Sequence, residues 1–192
     1  MQKFLAWFNS ESATDWVLKA AIAHFWFVTI HPFDDGNGRI ARALTDMLLA
    51  KSEDSPLRFY SVSNEINLDR NGYYNILEDT ETGDGDITGW LQWFLSSLRK
   101  SIDKSIETID KILDKTDFFA KISSVAVNQR QKKILAMLFD GFDGKLTTAK
   151  YAKINKCSKD TALNDINFLI ENGILEKTDG KGKNTGYCLR EK

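Results

Sequence analysis

The sequence predicts a mainly α protein, a helical core followed by a C-terminal winged helix-turn-helix, and three observations predict it. Apolar residues recur at helical spacing through most of the chain, and only two of the 192 residues are proline. Hydrophobic residues make up 42% of the sequence and include five tryptophans and twelve phenylalanines, enough to bury a real core. The last part gives three helical segments and then two short strand-like runs, which is the order of a winged helix-turn-helix. The expected division is a core over 1–115, a connector over 116–127 and the winged module over 128–192.

Each element has its own signal. From Asp15 to Ile30, "DWVLKAAIAHFWFVTI" carries apolar residues in nearly every turn and no breaker, so it reads as a largely buried helix. Pro32 pushes His31 out of helical geometry and ends it. After the glycines, "RIARALTDMLLA" places Ile40, Ala43, Leu44, Met47 and Leu48 on one face of a second helix. Residues 51–72 supply a connection and a short helix, and "YYNILEDTETGDGD" runs out into a polar loop. Asp86 or Thr88 can cap the long helix that follows, in which Ile102, Ile106, Ile109 and Leu113 keep helical spacing. The tail begins with "NQRQKKILAMLFDGFDG", a helix closed by glycine, and continues through "LTTAKYAKINKC". Next comes "SKDTALNDINFLIENG", with Ser158 as cap and Gly173 as stop, and then the paired runs of "ILEKTDGKGKNTGYCLR". The tryptophans at 7, 16, 26, 90 and 93 are most economically core residues, and His24, set between Ala23 and Phe25, reads as a core histidine rather than a second base.

Charge and cysteine content narrow the function classes. The net charge of −1 hides a split, because residues 128–192 hold thirteen basic against eight acidic residues, a balance of +5 that leaves −6 for 1–127. Cys157 and Cys188 are too few for a disulfide framework and lack metal-ligand spacing, so reduced thiols in a cytoplasmic protein are expected. No apolar run reaches the length of a membrane span, and no membrane partner is expected.

The chemistry concentrates in "HPFDDGNGRIAR", residues 31–42. Gly36 and Gly38 let the backbone turn its N–H groups inward directly before a helix, where those groups and the helix dipole favour an anion such as phosphate. Arg39 and Arg42 are three residues apart on the first turn of that helix and can grip phosphate oxygens. A carboxylate at Asp35 would repel phosphates unless Mg²⁺ stood between them. His31 offers an imidazole, which titrates near neutrality and suits a general base.

Residues 31–42 resemble the Fic motif H-P-F-x-[D/E]-G-N-G-R-x-x-R and match it at every fixed position. The resemblance implies a Fic-type helical core, N-terminally incomplete here, and transfer of AMP from ATP to a Ser, Thr or Tyr hydroxyl of a target protein, with pyrophosphate leaving. In that reading His31 takes the hydroxyl proton, Asp35 holds Mg²⁺ (or Mn²⁺), and Gly36, Asn37 and Gly38 cradle the phosphates. Arg39 and Arg42 hold the outer phosphates, and Phe33 anchors the loop in the core. The related Doc kinases depart from G-N-G-R with a lysine at position 38, so this sequence favours AMP transfer over phosphorylation. Farther on, "NGYYNILEDTETGDGDITGWLQWFL" resembles the segment that holds the nucleotide in a bacterial Fic subgroup. Tyr73 and Tyr74 would line the adenine and ribose pocket there, with Glu81 as a polar nucleotide contact.

Relatives of that subgroup usually carry, upstream of the motif, a β-hairpin flap and often an inhibitory helix of pattern [S/T]-x-x-x-E-[G/N]. Only thirty residues precede His31, no such hairpin is visible in them, and Asn167 stands four before Glu171, the residue of the only Glu-Asn pair. The chain is therefore expected to be the C-terminal part of a longer protein, without autoinhibition and with a poorly guided target segment, self-modification included. The tail resembles the winged helix that follows the Fic core in the subgroup. Lys159, Lys177, Lys181 and Lys183 are its candidate DNA contacts, although Asp160, Asp165 and Glu171 share the recognition helix. DNA contact, a protein-interaction or dimerisation role and a structural lid all stay open for this module. The alternative to an enzyme is a nucleotide-sensing DNA-binding regulator.

Overall fold

The computed structural model describes every residue except 12–13, 54, 56–57, 179–184 and 191–192. Among the described residues it holds nine helices and one two-stranded sheet, and the chain divides into two compact units, Met1–Ile109 and Asp110–Lys192. The division falls inside a long helix, and the segment expected as a connector, 116–127, is helical as far as Lys121.

The first unit begins with α1 (Gln2–Asn9), which sequence reasoning did not single out. Phe4 and Phe8, four residues apart, are its buried pair. α2 (Trp16–Ile30) starts where the Asp15 carboxylate accepts from the N–H groups of Val17 and Leu18, at 2.8 and 3.3 Å. α3 (Asn37–Ser52) packs on α2, and Ala20, Ala21, Ala23 and Ala41 are fully buried, small enough to let helices approach closely. α4 (Val62–Leu68) and α5 (Arg70–Glu81) are capped in series by Ser61 and Asp69. Asp69 accepts from the Gly72 N–H at 3.0 Å, and a side chain at 72 would collide with that same carboxylate.

α6 (Thr88–Lys121) is led in by Asp86, whose carboxylate accepts from the Thr88 N–H at 2.8 Å, so of the two candidate caps Asp86 takes the role. Trp90 is fully buried with its indole N–H on the Ala21 carbonyl at 2.8 Å, and Trp7, Trp16, Trp26 and Trp93 pack partly buried against the same core. Lys19, also fully buried, donates from Nζ to the Ser10 carbonyl at 2.7 Å and lies over the rings of Trp7 and Trp16.

The second unit has α7 (Gln129–Phe139), α8 (Thr148–Asn155) and α9 (Lys159–Glu171), then β1 (Leu175–Lys177) antiparallel to β2 (Tyr187–Leu189) with Glu176 opposite Cys188. Leu146, just before α8, bridges to Tyr187. Ser158 caps α9 by accepting from the Thr161 N–H, and Gly173 takes a positive φ of 69° just past its end. The core is built on Ile134, Leu135, Leu146, Tyr151, Ile166 and Leu169.

Candidate functional site

The site grows from the junction of α2 and α3. His31 ends α2 in the left-handed region, φ 46° and ψ 56°, and its backbone N–H still closes on the Phe27 carbonyl at 3.2 Å. The chain turns again at Gly36, φ 88°, a conformation that an L side chain adopts only with strain. No side chain caps α3, whereas α2, α4, α5, α7, α8 and α9 all carry a side-chain cap. The first-turn N–H groups of α3 are therefore available to an anion.

Phe33 does not anchor the loop in the core as expected: it is 50% exposed, with its ring 6.4 Å from that of Phe27. The anchor is Asn37. Its buried side chain donates from Nδ2 to the Phe33 carbonyl at 2.5 Å and accepts from the Phe33 N–H at 3.1 Å. This two-way bond holds the loop, and Asn37 is not among the residues that line the cavity beside it.

A cavity of about 500 Å³ opens beside this loop. Asp35, Gly36, Gly38, Arg39 and Arg42 line it from the loop and α3, and Tyr73 and Tyr74 line it from α5. Ser63 and Asn67 on α4 and Arg70 at the start of α5 complete the polar wall, and sequence reasoning missed all three. Ser63 and Asn67 are four apart on one helical face and Arg70 follows the α5 cap, a spacing that does not by itself say what that face meets. Arg70 Nε donates to Asn67 Oδ1 at 3.0 Å.

Of the remaining expected residues, His31 is exposed and is not among the cavity's lining residues. Glu81 also lies off the cavity and accepts from the Thr29 hydroxyl at 2.9 Å.

Arg39 and Asp35 pair at 2.8 Å with both side chains largely exposed. Such a pair is worth little and exchanges readily for other partners. The donor set suits Mg²⁺ in one way only. Among the described residues no group of three or more His, Cys, Asp or Glu gathers to hold a metal alone, but Mg²⁺ is commonly held by one or two carboxylates together with substrate phosphates, and Asp35 supplies one at the cavity wall.

Beneath the cavity, His24 is buried with Nδ1 3.0 Å from the Thr45 hydroxyl and Nε2 3.0 Å from the Tyr73 hydroxyl. Burial first, and the positive charge of Arg42 second, lower its pKa to about 3. Burial, with Tyr74 alongside, raises the Tyr73 pKa to about 12. Because unfolding returns His24 to its ordinary value of 6.5, the unfolded chain binds the proton more readily. His24 therefore subtracts nothing from stability above pH 6.5 and costs about 1.4 kcal/mol per pH unit as the pH falls from there toward 3. All five tryptophans lie within residues 1–109, so denaturant unfolding followed by tryptophan fluorescence reads this unit, and His24→Gln is expected to flatten the slope.

The candidate DNA contacts divide. Lys159 and Lys177 are exposed on α9 and β1, while Lys181 and Lys183 lie outside the described residues. Asp165, counted above among the acidic residues of α9, is buried and bonded to Arg130, so it adds no charge to the outer face of that helix.

Compared with known proteins, residues 1–49 match the Fic/DOC family. The chain is 35% identical over 105 residues to the protein adenylyltransferase Fic of Drosophila yakuba, and 34% identical over 105 residues to those of Drosophila ananassae and Drosophila melanogaster. Each match covers 54% of this chain and 20% of the relative, so the chain spans about a fifth of the length of the curated relatives it matches. No described helix is long and apolar enough to cross a membrane.

Proposed function

We propose that the chain carries the nucleotide-handling end of a protein adenylyltransferase, which transfers AMP from ATP to a Ser, Thr or Tyr hydroxyl of a target protein and releases pyrophosphate. The observation that carries this reading is the cavity itself. An uncapped helix N-terminus, a glycine turn and the side chains of Arg39, Arg42 and Arg70 converge on one space of nucleotide size that Tyr73 and Tyr74 also line. The family match over 1–49 and the relatives named protein adenylyltransferase support the same chemistry.

In this reading Arg39 and Arg42 hold the outer phosphates, and the turn at Gly36 and the first turn of α3, which contains Gly38, bring backbone N–H groups to them. Tyr73 and Tyr74 face the sugar and base. His31 takes the proton from the attacking hydroxyl, whose oxygen forms a bond to the α-phosphorus while the bond to pyrophosphate breaks. Mg²⁺ or Mn²⁺ shared between Asp35 and the phosphates would neutralise charge on the leaving group. The C-terminal unit is read as a winged helix-turn-helix, on the order of α7, α8 and α9 followed by the β1–β2 hairpin.

Calorimetry with ATP and Mg²⁺, followed by transfer assays with ATP labelled in the AMP part or in the γ-phosphate, tests this. Binding that falls about 10- to 100-fold in Arg42→Ala, with label transferred only from the AMP part, is expected. Absence of binding would end the reading, and transfer of γ-label would replace it with a kinase.

A further inference from the structure

The corner between α4 and α5 is held by Asp69. Its N–H closes α4 on the Glu65 carbonyl at 3.0 Å. It also opens α5, where its carboxylate accepts from the Gly72 N–H and its carbonyl from the Tyr73 N–H, each at 3.0 Å. Asn67 stands just before this corner and Arg70 just after it, and both line the cavity. Across the corner Arg70 Nε donates to Asn67 Oδ1 at 3.0 Å. The direction of this bond follows from chemistry, because a guanidinium has only donors and the amide must meet it with oxygen.

Local structure gives no reason for an arginine here. As the first residue of α5, Arg70 sets a positive charge at the positive end of the helix dipole, where an acidic residue is favoured. The adjacent Asp69 carboxylate is committed to the cap, and Arg70 forms no ion pair among the described residues. Its side chain bonds instead to a neutral amide through Nε, which leaves both Nη groups without a partner among the described residues. Arg70, Tyr73 and Tyr74 lie three and four residues apart on one face of α5, and all three line the cavity. Asp35, the only carboxylate among the described lining residues, is paired with Arg39. Thus α4 and α5 bring the cavity an uncancelled charge of their own, independent of the glycine loop.

We propose that Arg70 is a further phosphate-binding side chain of the cavity and that Asn67 is its positioning residue: the amide oxygen fixes the guanidinium through Nε and leaves both Nη groups, with the whole positive charge, to the ligand. The inference rests on the anion-binding reading of the cavity given above. A carboxylate in the place of Asn67 would hold Arg70 more tightly but would cancel its charge. The amide holds it without that loss, and a long side chain ordered beforehand loses less freedom when the ligand arrives.

Calorimetry of the full chain with ATP and with inorganic triphosphate, a probe with neither sugar nor base, tests both parts. Arg70→Ala is expected to weaken both ligands about tenfold. A loss confined to ATP would put Arg70 at the sugar or base and overturn the proposal. Asn67→Ala is expected to weaken both about two- to fivefold, and to add nothing in a chain that already carries Arg70→Ala. Asn67→Asp keeps the shape and the acceptor, so a merely structural role predicts unchanged binding, whereas the proposal predicts a loss larger than that of Asn67→Ala. Unchanged binding in Asn67→Asp, or an Asn67→Ala loss that persists without Arg70, would overturn the positioning role. Binding that ignores Arg70 would end this inference alone. Failure of the unaltered chain to bind either probe would end the anion reading as well.

Discussion

Replacing His31 with alanine is expected to slow AMP transfer by about 10²- to 10⁴-fold, the usual range for loss of a general base, while changing ATP affinity by less than about threefold. The separation follows from where the residue stands. His31 is exposed at the end of α2 and does not line the cavity, so no phosphate-binding group leaves with its ring. The turn is expected to survive as well, since the bond that closes it runs from the His31 backbone N–H to the Phe27 carbonyl and does not use the imidazole. The left-handed backbone at φ 46° is the one local risk, because alanine tolerates it poorly. His31→Asn controls for this, as asparagine visits that region at lower cost and is no base. Single-turnover transfer and ATP calorimetry on both variants decide the matter. Parallel loss of binding and transfer would make His31 a structural cap rather than the base.

The placement of the loop residues was legible in the sequence because it is local. Gly36, Gly38, Arg39 and Arg42 are placed by one turn and one helix, and the 3.6-residue period fixes which of them share a face. His24 was legible as a core residue for the same reason, being embedded in a helix that is apolar all round. Phe33 was misread because residue type predicts a tendency to bury and not the direction a loop presents it. The loop is held by the Asn37 amide instead, a bond that pairs residues four apart and leaves no pattern in composition.

Ser63, Asn67 and Arg70 could not be joined to the site from sequence. They reach it only through the packing of α4 and α5, some thirty residues from the loop, and capping signals fix where helices start without fixing what they face. Glu81 shows the converse. Its position in sequence suggested a nucleotide contact, and the last turn of α5 carries it to Thr29 on α2.

Asp165→Ala is expected to be a damaging substitution in the second unit, costing about 1–3 kcal/mol, because it removes the acceptor on which the start of α7 and the middle of α8 converge. Asn128 Nδ2 at 2.8 Å, Arg130 Nε at 2.7 Å and Nη2 at 3.1 Å, and the Tyr151 hydroxyl at 3.0 Å all donate to its carboxylate. The same Asn128 caps α7, and Gln131 of that capping box donates to the Asp165 carbonyl at 2.9 Å. One carboxylate thus ties the start of α7 and the middle of α8 to α9. Asp165→Asn is expected to cost less, since the amide still accepts and Arg130, partly exposed, can turn to water.

The pH dependence separates the two units. Burial alone would raise the Asp165 pKa, but the hydrogen bonds from Arg130, Asn128 and Tyr151 outweigh it and hold the carboxyl below its ordinary 3.8. A depressed carboxyl contributes stability that is fully present above that value and lost only as the pH falls through the lower, folded one. His24 begins to cost the first unit stability at pH 6.5, well above the window in which Asp165 acts. Calorimetric melts of the chain between pH 7 and pH 4, with tryptophan fluorescence marking the first unit, are expected to show its transition falling while that of the second holds. Asp165→Ala is expected to lower the second transition at every pH in that range. A second transition unmoved by Asp165→Ala would mean that α7, α8 and α9 are held by their apolar core alone.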